Sequence, residues 1–194
     1  MSKRIVLLSA AAFGALALAT AVVAPVSAQD KMMKSELSGE KTVMVGGAAM
    51  FPSKNIIQNA VNSKDHTTLV AAVKAAGLVD TLEGKGPFTV FAPTNTAFGK
   101  LPAGTVDTLV KPENKATLTK ILTYHVVPGR LEASSLTDGK KLKTVEGEEL
   151  TVKRSGDTVM IVDAKGESST VTIPNVNQSN GVIHVVDTVL MPAS

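Results

Sequence analysis

The hydrophobic pattern of this chain changes from a helical period in its first half to a strand period in its second half. Between residues 65 and 77 the apolar side chains recur at helical spacing, and Gly77 is a typical left-handed helix stop. In the second half, short β-branched runs such as 159–162 and 182–186 are separated by turn sequences such as Asn180-Gly181. Helices followed by hairpin-connected strands predict an α+β fold, in which several small helices pack on a mostly antiparallel β-sheet.

Local signals in the first half indicate where individual elements begin and end. Ser53 or Asn55 can cap a short helix that runs to Val61, and Pro112 is suited to the start of another helix. The run 88–92 has the composition of a strand. Its side chains are apolar on both faces, so we expect both faces of this strand to be covered.

The N-terminus has the three parts of a secretory signal peptide. Lys3 and Arg4 precede an uncharged run over residues 5–26, and Val26-Ser27-Ala28 supplies the small residues that a signal peptidase requires. The run is also long enough to span a membrane as a retained anchor, but Pro25 beside the small-residue triplet favours cleavage. We therefore expect residues 1–28 to be a transient signal peptide, membrane contact through that segment only, and a secreted or periplasmic protein.

Residues 29–50 have the composition of a flexible linker that precedes a domain over residues 51–194. Lysine and glutamate alternate there without a helical or strand period, and Gly46-Gly47 interrupts the only apolar stretch. Thioethers are soft ligands for Cu(I), so the methionines of this segment leave a metal-carrier function open. They are also ordinary flexible hydrophobes. The methionines concerned are Met32, Met33, Met44 and Met50.

Charge and cysteine content exclude several classes of protein. The formal net charge of +3 falls to +1 once Lys3 and Arg4 are removed with the signal peptide, so no strongly basic surface for nucleic acid is expected. The chain contains no cysteine, which rules out disulfides, thiol catalysis and a lipid-modified cysteine. No cofactor is expected, and the chain is predicted to be a monomer.

Histidine is the residue type from which an enzyme hypothesis would have to start. His66, His125 and His184 come from distant segments without the paired spacing of a metal site, so no metal site is predicted. Neither a G-x-S-x-G elbow nor an H-E-x-x-H pair is present, and we predict a non-enzyme. A hydrolase without a recognisable motif stays an alternative. We expect His66 to be exposed in the first turn of its helix and His184 to have a structural role in a strand.

Three blocks of sequence occur in an order that is typical of one domain family. They are FTVFAPTNTAFGKLP at 88–102, LTYHVVPG at 122–129 and NGVIHVVDTVLMP at 180–192. Together they resemble the fasciclin domain family, with the first block at a strand-to-helix turn, the second at the Tyr-His motif and the third at a closing strand. The positions expected to serve the motif and the fold are Phe88, Phe91, Ala92, Pro93, Thr94, Asn95, Phe98, Asn180, Gly181, His184 and Asp187.

The resemblance implies a fasciclin-like fold and a role in adhesion. In that family the Tyr-His motif is implicated both in holding the fold and in integrin-linked adhesion, which makes Tyr124 and His125 the candidate partner-binding residues. The expected function is an exported, non-catalytic module that binds a cell-surface, matrix or envelope protein or polysaccharide. The alternative is an envelope carrier of a small molecule or metal that uses the methionine-rich segment or a pocket near Tyr124. The lysines at 140, 141 and 143 are expected in a solvated loop.

Overall fold

The protein is described by a computed structural model over residues 41–193. The expected signal peptide and residues 29–40 of the expected linker lie outside the described residues. The helices are α1 (Ile56–Ala60), α2 (Thr67–Ala76), α3 (Val79–Glu83), α4 (Asn95–Gly99), α5 (Thr105–Leu109) and α6 (Lys115–Tyr124), with 3-10 turns at Lys64–His66, Pro112–Asn114 and Ala133–Ser135. The strands are β1 (Val43–Val45), β2 (Ala48–Met50), β3 (Phe88–Pro93), β4 (Val126–Pro128), β5 (Lys141–Lys143), β6 (Glu149–Ser155), β7 (Thr158–Val162), β8 (Ser168–Gln178) and β9 (Gly181–Val186).

Seven of these strands form one sheet in the order β4-β3-β9-β8-β7-β6-β5. Neighbouring strands are antiparallel except for β3 and β9, which run parallel with Phe88 opposite Gly181. The Val145 N–H, just after β5, donates to the Val126 carbonyl of β4 at 2.8 Å. This bond joins the two ends of the strand order, so the sheet curls towards closure. The α+β prediction is confirmed.

Strand β3 separates two apolar clusters. Val90 and Ala92 face the cluster that includes the helices, whereas Phe91 lies in a second cluster formed within the curled sheet. Because successive strand residues point to opposite faces, one strand contributes to both clusters. This arrangement agrees with the expectation that both faces of 88–92 are covered.

The marked helix ends are found as predicted. Asn55 caps α1 and forms a capping box with Gln58, in which each side chain accepts from the other residue's backbone N–H. Gly77 ends α2 in the left-handed conformation with φ 73°. These two caps fix the directions in which the short helices enter and leave the helical layer.

The linker prediction is wrong for residues 43–50. They form the antiparallel β1–β2 hairpin, in which Val45 and Met50 are buried in the helix-side cluster. Gly46 and Gly47 occupy the turn with φ 57° and 75°, the left-handed pair that a two-residue type I′ turn requires. The Lys64 N–H donates to the Gly46 carbonyl at 3.2 Å. The folded domain therefore begins before residue 51.

The loop prediction for the lysines at 140–143 is also wrong in part. Residues Lys141–Lys143 form β5, which pairs with β6, and Leu142 is buried in the second cluster. Lys141 and Lys143 are exposed on the outer side of this strand. The alternation of one buried and two exposed residues is that of a half-buried strand.

Candidate functional site

Tyr124 is buried where α6 ends. Its side chain lies in the second cluster, and its exposed fraction is 0%. The Ala164 N–H donates to the Tyr124 hydroxyl at 2.9 Å. Burial raises the pKa of Tyr124 to about 12, so the hydroxyl stays protonated at neutral pH. The phenol ring thus fills the core, and its hydroxyl holds the loop that follows β7.

His125 is buried beside it, with both ring nitrogens in hydrogen bonds. The Leu190 N–H donates to Nε2 at 3.0 Å, and Nδ1 lies 2.8 Å from the Ile121 carbonyl oxygen. Because Nε2 accepts, the hydrogen-bond network assigns the ring proton to Nδ1, which donates to Ile121. Burial lowers the pKa of His125 to about 4, although the Ile121 carbonyl and the Asp163 carboxylate favour the charged form. The ring is neutral at pH 7.

These positions bear directly on the prediction that Tyr124 and His125 contact a partner. Both residues are buried, and His125 is only 3% exposed. A direct contact would require the domain to open and the bonds to Ala164 and Leu190 to break. In the folded domain the pair holds the end of α6 against Leu190 of the C-terminal segment and Ala164 of the loop after β7.

His184 is the central polar residue of β9. The ring stacks on Phe91 with centroids 5.7 Å apart, and Nε2 lies 2.7 Å from the Leu131 carbonyl, to which it donates. The Asn175 N–H approaches Nδ1 at 3.4 Å. Burial lowers the pKa of His184, so this ring is also neutral at pH 7. His184 thus ties β9 to the segment that follows β4.

Thr94 and Asn95 each cap a helix. The Ala97 N–H donates to the Thr94 hydroxyl at 3.2 Å, which caps α4. The Asn95 side-chain oxygen accepts from the Thr68 N–H at 3.0 Å, and its amide donates to the Lys64 carbonyl at 2.8 Å. Asn95 therefore joins the β3–α4 turn to the start of α2.

Asn180 performs a similar task at the β8–β9 turn. Its oxygen accepts from the Ile56 N–H at 3.1 Å, and its amide donates to the carbonyls of Leu82 and Gly84 at 2.7 and 2.9 Å. A Cβ atom on Gly181 would collide with the carbonyl oxygen of Phe88 on the parallel strand. The Asn-Gly pair is therefore required by close approach of α1, α3 and β3 to this turn.

Asp187 closes the last strand with a carboxylate that is half-exposed. Burial alone would raise the pKa of Asp187, but the Thr170 N–H at 2.8 Å, the Thr188 hydroxyl and the Lys100 ammonium at 3.6 Å outweigh it and lower the pKa.

The apolar residues of the first motif all contribute to the interior of the domain. Phe91, Ala92, Pro93 and Phe98 are buried, and Phe88 is half-buried.

The structure corrects the prediction for His66. It is only 3% exposed, because the ring turns inward at the start of α2. Its Nδ1 lies 2.9 Å from the Ser63 hydroxyl, and Nε2 has no hydrogen-bond partner among the residues that the structure describes. The sequence carried a signal for this placement, since His66 lies three and seven residues before Leu69 and Val73 and so shares their apolar face.

A cavity of about 70 Å³ lies between the helices and β3. Its walls are almost entirely apolar, with His66 as one of the few polar contributors. His125 and Thr123 reach the wall from the end of α6, but Tyr124 is not among the described residues that line the cavity. This cavity therefore adjoins His125, whereas Tyr124, whose ring lies in the second cluster, is not part of its wall.

Residues 41–193 contain neither a metal-binding cluster nor a membrane-spanning helix. No group of three or more His, Cys, Asp or Glu residues is placed there to hold a metal ion. No helix in this part of the chain is long and apolar enough to cross a membrane.

A helical layer against a curled, mostly antiparallel sheet with one parallel pair is the architecture of a FAS1 domain. The structure resembles a FAS1 domain pair from the insect cell adhesion molecule fasciclin I with a TM-score of 0.65, and the match covers 78% of this chain and 58% of that chain. The 17% sequence identity of this pair supports the fold alone. The sequence model of the Fasciclin domain matches residues 64–192, so the chain belongs to the fasciclin domain family. The family resemblance is confirmed.

Several bacterial proteins are similar over most of the chain. Protein sll1483 of Synechocystis sp. is 48% identical over 79% of this chain and 82% of its own length. The immunogenic protein MPB70 of Mycobacterium bovis is 36% identical over 95% of this chain and 94% of its own length. The cell surface glycolipoprotein MPB83 of the same species is 40% identical over 76% of this chain and 64% of its own length. Of these three relatives, MPB83 is the one whose name states a location at the cell surface.

Proposed function

We propose that this protein is an exported, non-catalytic fasciclin module that binds a protein or polysaccharide at the cell surface or in the envelope. The observation that carries the proposal is the internal use of the motif side chains. His125, His184 and Asn180 bond to backbone groups inside the domain, and the histidine that lies beside a hydroxyl, His66 next to Ser63, is buried together with it. The family membership and the similarity to a cell surface glycolipoprotein support an adhesive role.

The outer face of β5 and β6 is the surface that best suits such a partner. Lys141 and Lys143 are exposed on β5, and Lys153 lies on the same face of β6 because Thr151, two residues earlier, is opposite Lys141. Glu149 supplies one carboxylate and lies 3.3 Å from Lys141. Three ammonium groups against one carboxylate give this face a positive charge, which favours an anionic polymer or an acidic protein surface.

The test is binding of the purified protein to intact cells and to extracted envelope polymers. We expect saturable binding that weakens in a Lys141→Glu/Lys143→Glu variant. The matched control is Lys74→Glu/Lys111→Glu, which makes the same change in net charge at exposed helical-layer positions and should bind normally. Loss of binding in both variants would indicate a net-charge effect and would remove this face from the proposal. Absence of saturable binding by the unchanged protein would refute the adhesive function.

The alternative of a metal carrier has less support. Met32 and Met33 lie outside the described residues, while Met44 is exposed and Met50 is buried in the β1–β2 hairpin. Met50 pairs with Val43 and Met44 with Ala49, so the two sulfurs project to opposite sides of the hairpin. A Cu(I) titration that shows no binding would dispose of this alternative.

A further inference from the structure

Three exposed lysines form a single row on the outer face of β5 and β6. Lys141 of β5 lies opposite Thr151 of β6, and Lys153 follows Thr151 by two residues. Lys143 lies on the other side of Lys141, opposite Glu149. The order along the strands is therefore Lys143, Lys141, Lys153, with steps of two residues, or about 7 Å each. A polymer laid along these strands meets an ammonium group at three points over about 14 Å.

Short hydroxyl side chains accompany this row. Thr151 lies beside the middle lysine, and Ser155 continues the same face of β6 beyond Lys153. Thr158 of β7 is opposite Ser155, and both of these residues are exposed. A hydroxyl both donates and accepts hydrogen bonds, and so does the hydroxyl of a sugar. The face thus offers ammonium groups to acidic groups of a ligand and hydroxyls to the sugar rings that carry them.

No aromatic side chain within residues 41–193 lies on this face. The aromatic residues of that range belong to the two apolar clusters or, in one case, lie beneath the Lys54 ammonium; they are Phe51, Phe88, Phe91, Phe98 and Tyr124. Single-stranded nucleic acid is bound largely by stacking of its bases on aromatic rings, so it is a poor match for this face. Recognition must come from charge and hydrogen bonds.

A protein or a membrane suits the face less well than a polysaccharide. Protein interfaces are enriched in aromatic residues, Met and Arg and depleted in Lys and Ser, whereas the exposed residues here are Lys, Thr and Ser. The outward apolar residues of β7, Met160 and Val162, are half-buried. Attachment to a membrane surface also requires apolar side chains that insert. The large exposed ones of the described chain lie off β5 and β6; they are Met44, Val61 and Val145.

We propose that the outer face of β5 and β6 binds a linear acidic polysaccharide whose sugars carry carboxylate groups. The polymer lies along the row from Lys143 to Lys153, its carboxylates pair with the ammonium groups, and Thr151 bonds to a sugar hydroxyl between them. Glu149 opposes this binding, because its carboxylate lies 3.3 Å from the Lys141 ammonium and competes for it. The assignment rests on the proposed adhesive function, since it names the class of polymer that the adhesive face takes.

The test compares polygalacturonate with its fully methyl-esterified form, which has the same sugar backbone without the charge. Each is titrated into the purified protein by calorimetry. We expect saturable binding of polygalacturonate that weakens with added salt, and binding of the ester that is weaker by about tenfold. Polyglutamate and phosphatidylserine vesicles present carboxylates without sugars. They should bind about fivefold more weakly than polygalacturonate, because they lack the sugar hydroxyls.

The Glu149→Gln variant gives a result that a damaged protein cannot imitate. It removes the carboxylate that competes for Lys141, so polygalacturonate should bind roughly threefold more tightly. Lys143→Gln/Lys153→Gln removes both ends of the row and should weaken binding about tenfold. The matched control is Lys74→Gln/Lys111→Gln, which loses the same charge at exposed positions of the helical layer and should bind normally.

Four results would overturn the proposal. They are no saturable binding of polygalacturonate, equal affinity for its ester, equal affinity for polyglutamate or the vesicles, and no gain of affinity in the Glu149→Gln protein. If the unchanged protein still binds cells or extracted envelope polymers saturably, only the polysaccharide assignment fails. If that binding is also absent, the adhesive function fails with it.

Discussion

Acidification below about pH 6.5 should destabilise the domain through His125. The folded domain holds this ring neutral, with Nε2 accepting from the Leu190 N–H at 3.0 Å. Protonation of Nε2 would set one N–H against another and break that bond. Burial accordingly lowers the pKa of His125 from 6.5 to about 4, whereas the unfolded chain takes up the proton near pH 6.5.

The sign and size of the effect follow from this pair of values. Between pH 6.5 and 4 the unfolded state binds more protons than the folded state, so the free energy of unfolding falls as the pH falls. At about 1.4 kcal/mol for each unit of pKa difference, His125 contributes about 3 kcal/mol above pH 6.5, which is lost by about pH 4. His66 and His184, whose pKa values burial also lowers, add to the loss in the same direction.

Urea unfolding at a series of pH values from 7.5 to 4.5 measures the effect. Far-ultraviolet circular dichroism follows the backbone, and Tyr124, the single tyrosine of a chain without tryptophan, reports on the core by its fluorescence. A His125→Gln variant should be less stable at pH 7 and should show a pH dependence shallower by about one proton. An NMR titration of the His125 ring in the unchanged protein checks the pKa without any variant. Equal slopes for the two proteins, or stability that rises on acidification to pH 5, would refute the reasoning.

Three further substitutions test how the motifs hold the fold, each by urea unfolding. Asn180→Ala should cost about 3 kcal/mol, because it removes the partner of two buried backbone groups and of the partly buried Gly84 carbonyl. Gly181→Ala should cost about 3 kcal/mol by collision with the Phe88 carbonyl, whereas Gly99→Ala, whose added Cβ meets nothing, should change stability by less than about 0.5 kcal/mol. Tyr124→Phe should cost about 1 kcal/mol and leave binding to cells unchanged, since its hydroxyl serves an internal bond; a selective loss of binding in a stable Tyr124→Phe protein would contradict this.

Local signals account for the parts of the fold that the sequence predicts. Asn55 caps α1 and Gly77 ends α2, because a capping side chain and a left-handed glycine act within one turn of the chain. The two covered faces of β3 follow from the alternation of side chains along a strand. The β1–β2 hairpin has an equally local signal in Gly46-Gly47, a pair suited to a type I′ turn, but the charged residues before this pair favour a linker.

Long-range contacts account for what the sequence does not predict. The parallel pairing of β3 with β9 joins residues about ninety positions apart, and neither strand specifies its neighbour. Tyr124 and His125 are held by bonds to Ala164 and Leu190, which lie 40 and 65 residues further along the chain. The motif identifies such residues in the sequence. The interaction that each one makes is known only from the folded structure, where its distant partner lies beside it.

The same contacts explain why the motifs identify the family but do not identify the binding partner. Asn95, His125 and Asn180 each bond to backbone groups of distant segments, so these side chains specify how the helices and the sheet fit together. Backbone N–H and carbonyl groups are present in almost every residue, whatever its side chain. Bonds to them therefore do not constrain which residue types occupy the exposed positions. We therefore expect specificity for a partner to come from exposed residues outside the motifs, such as Lys141 and Lys143. Two fasciclin domains can thus share all three motifs and bind unrelated partners, since fold and function are set by different residues.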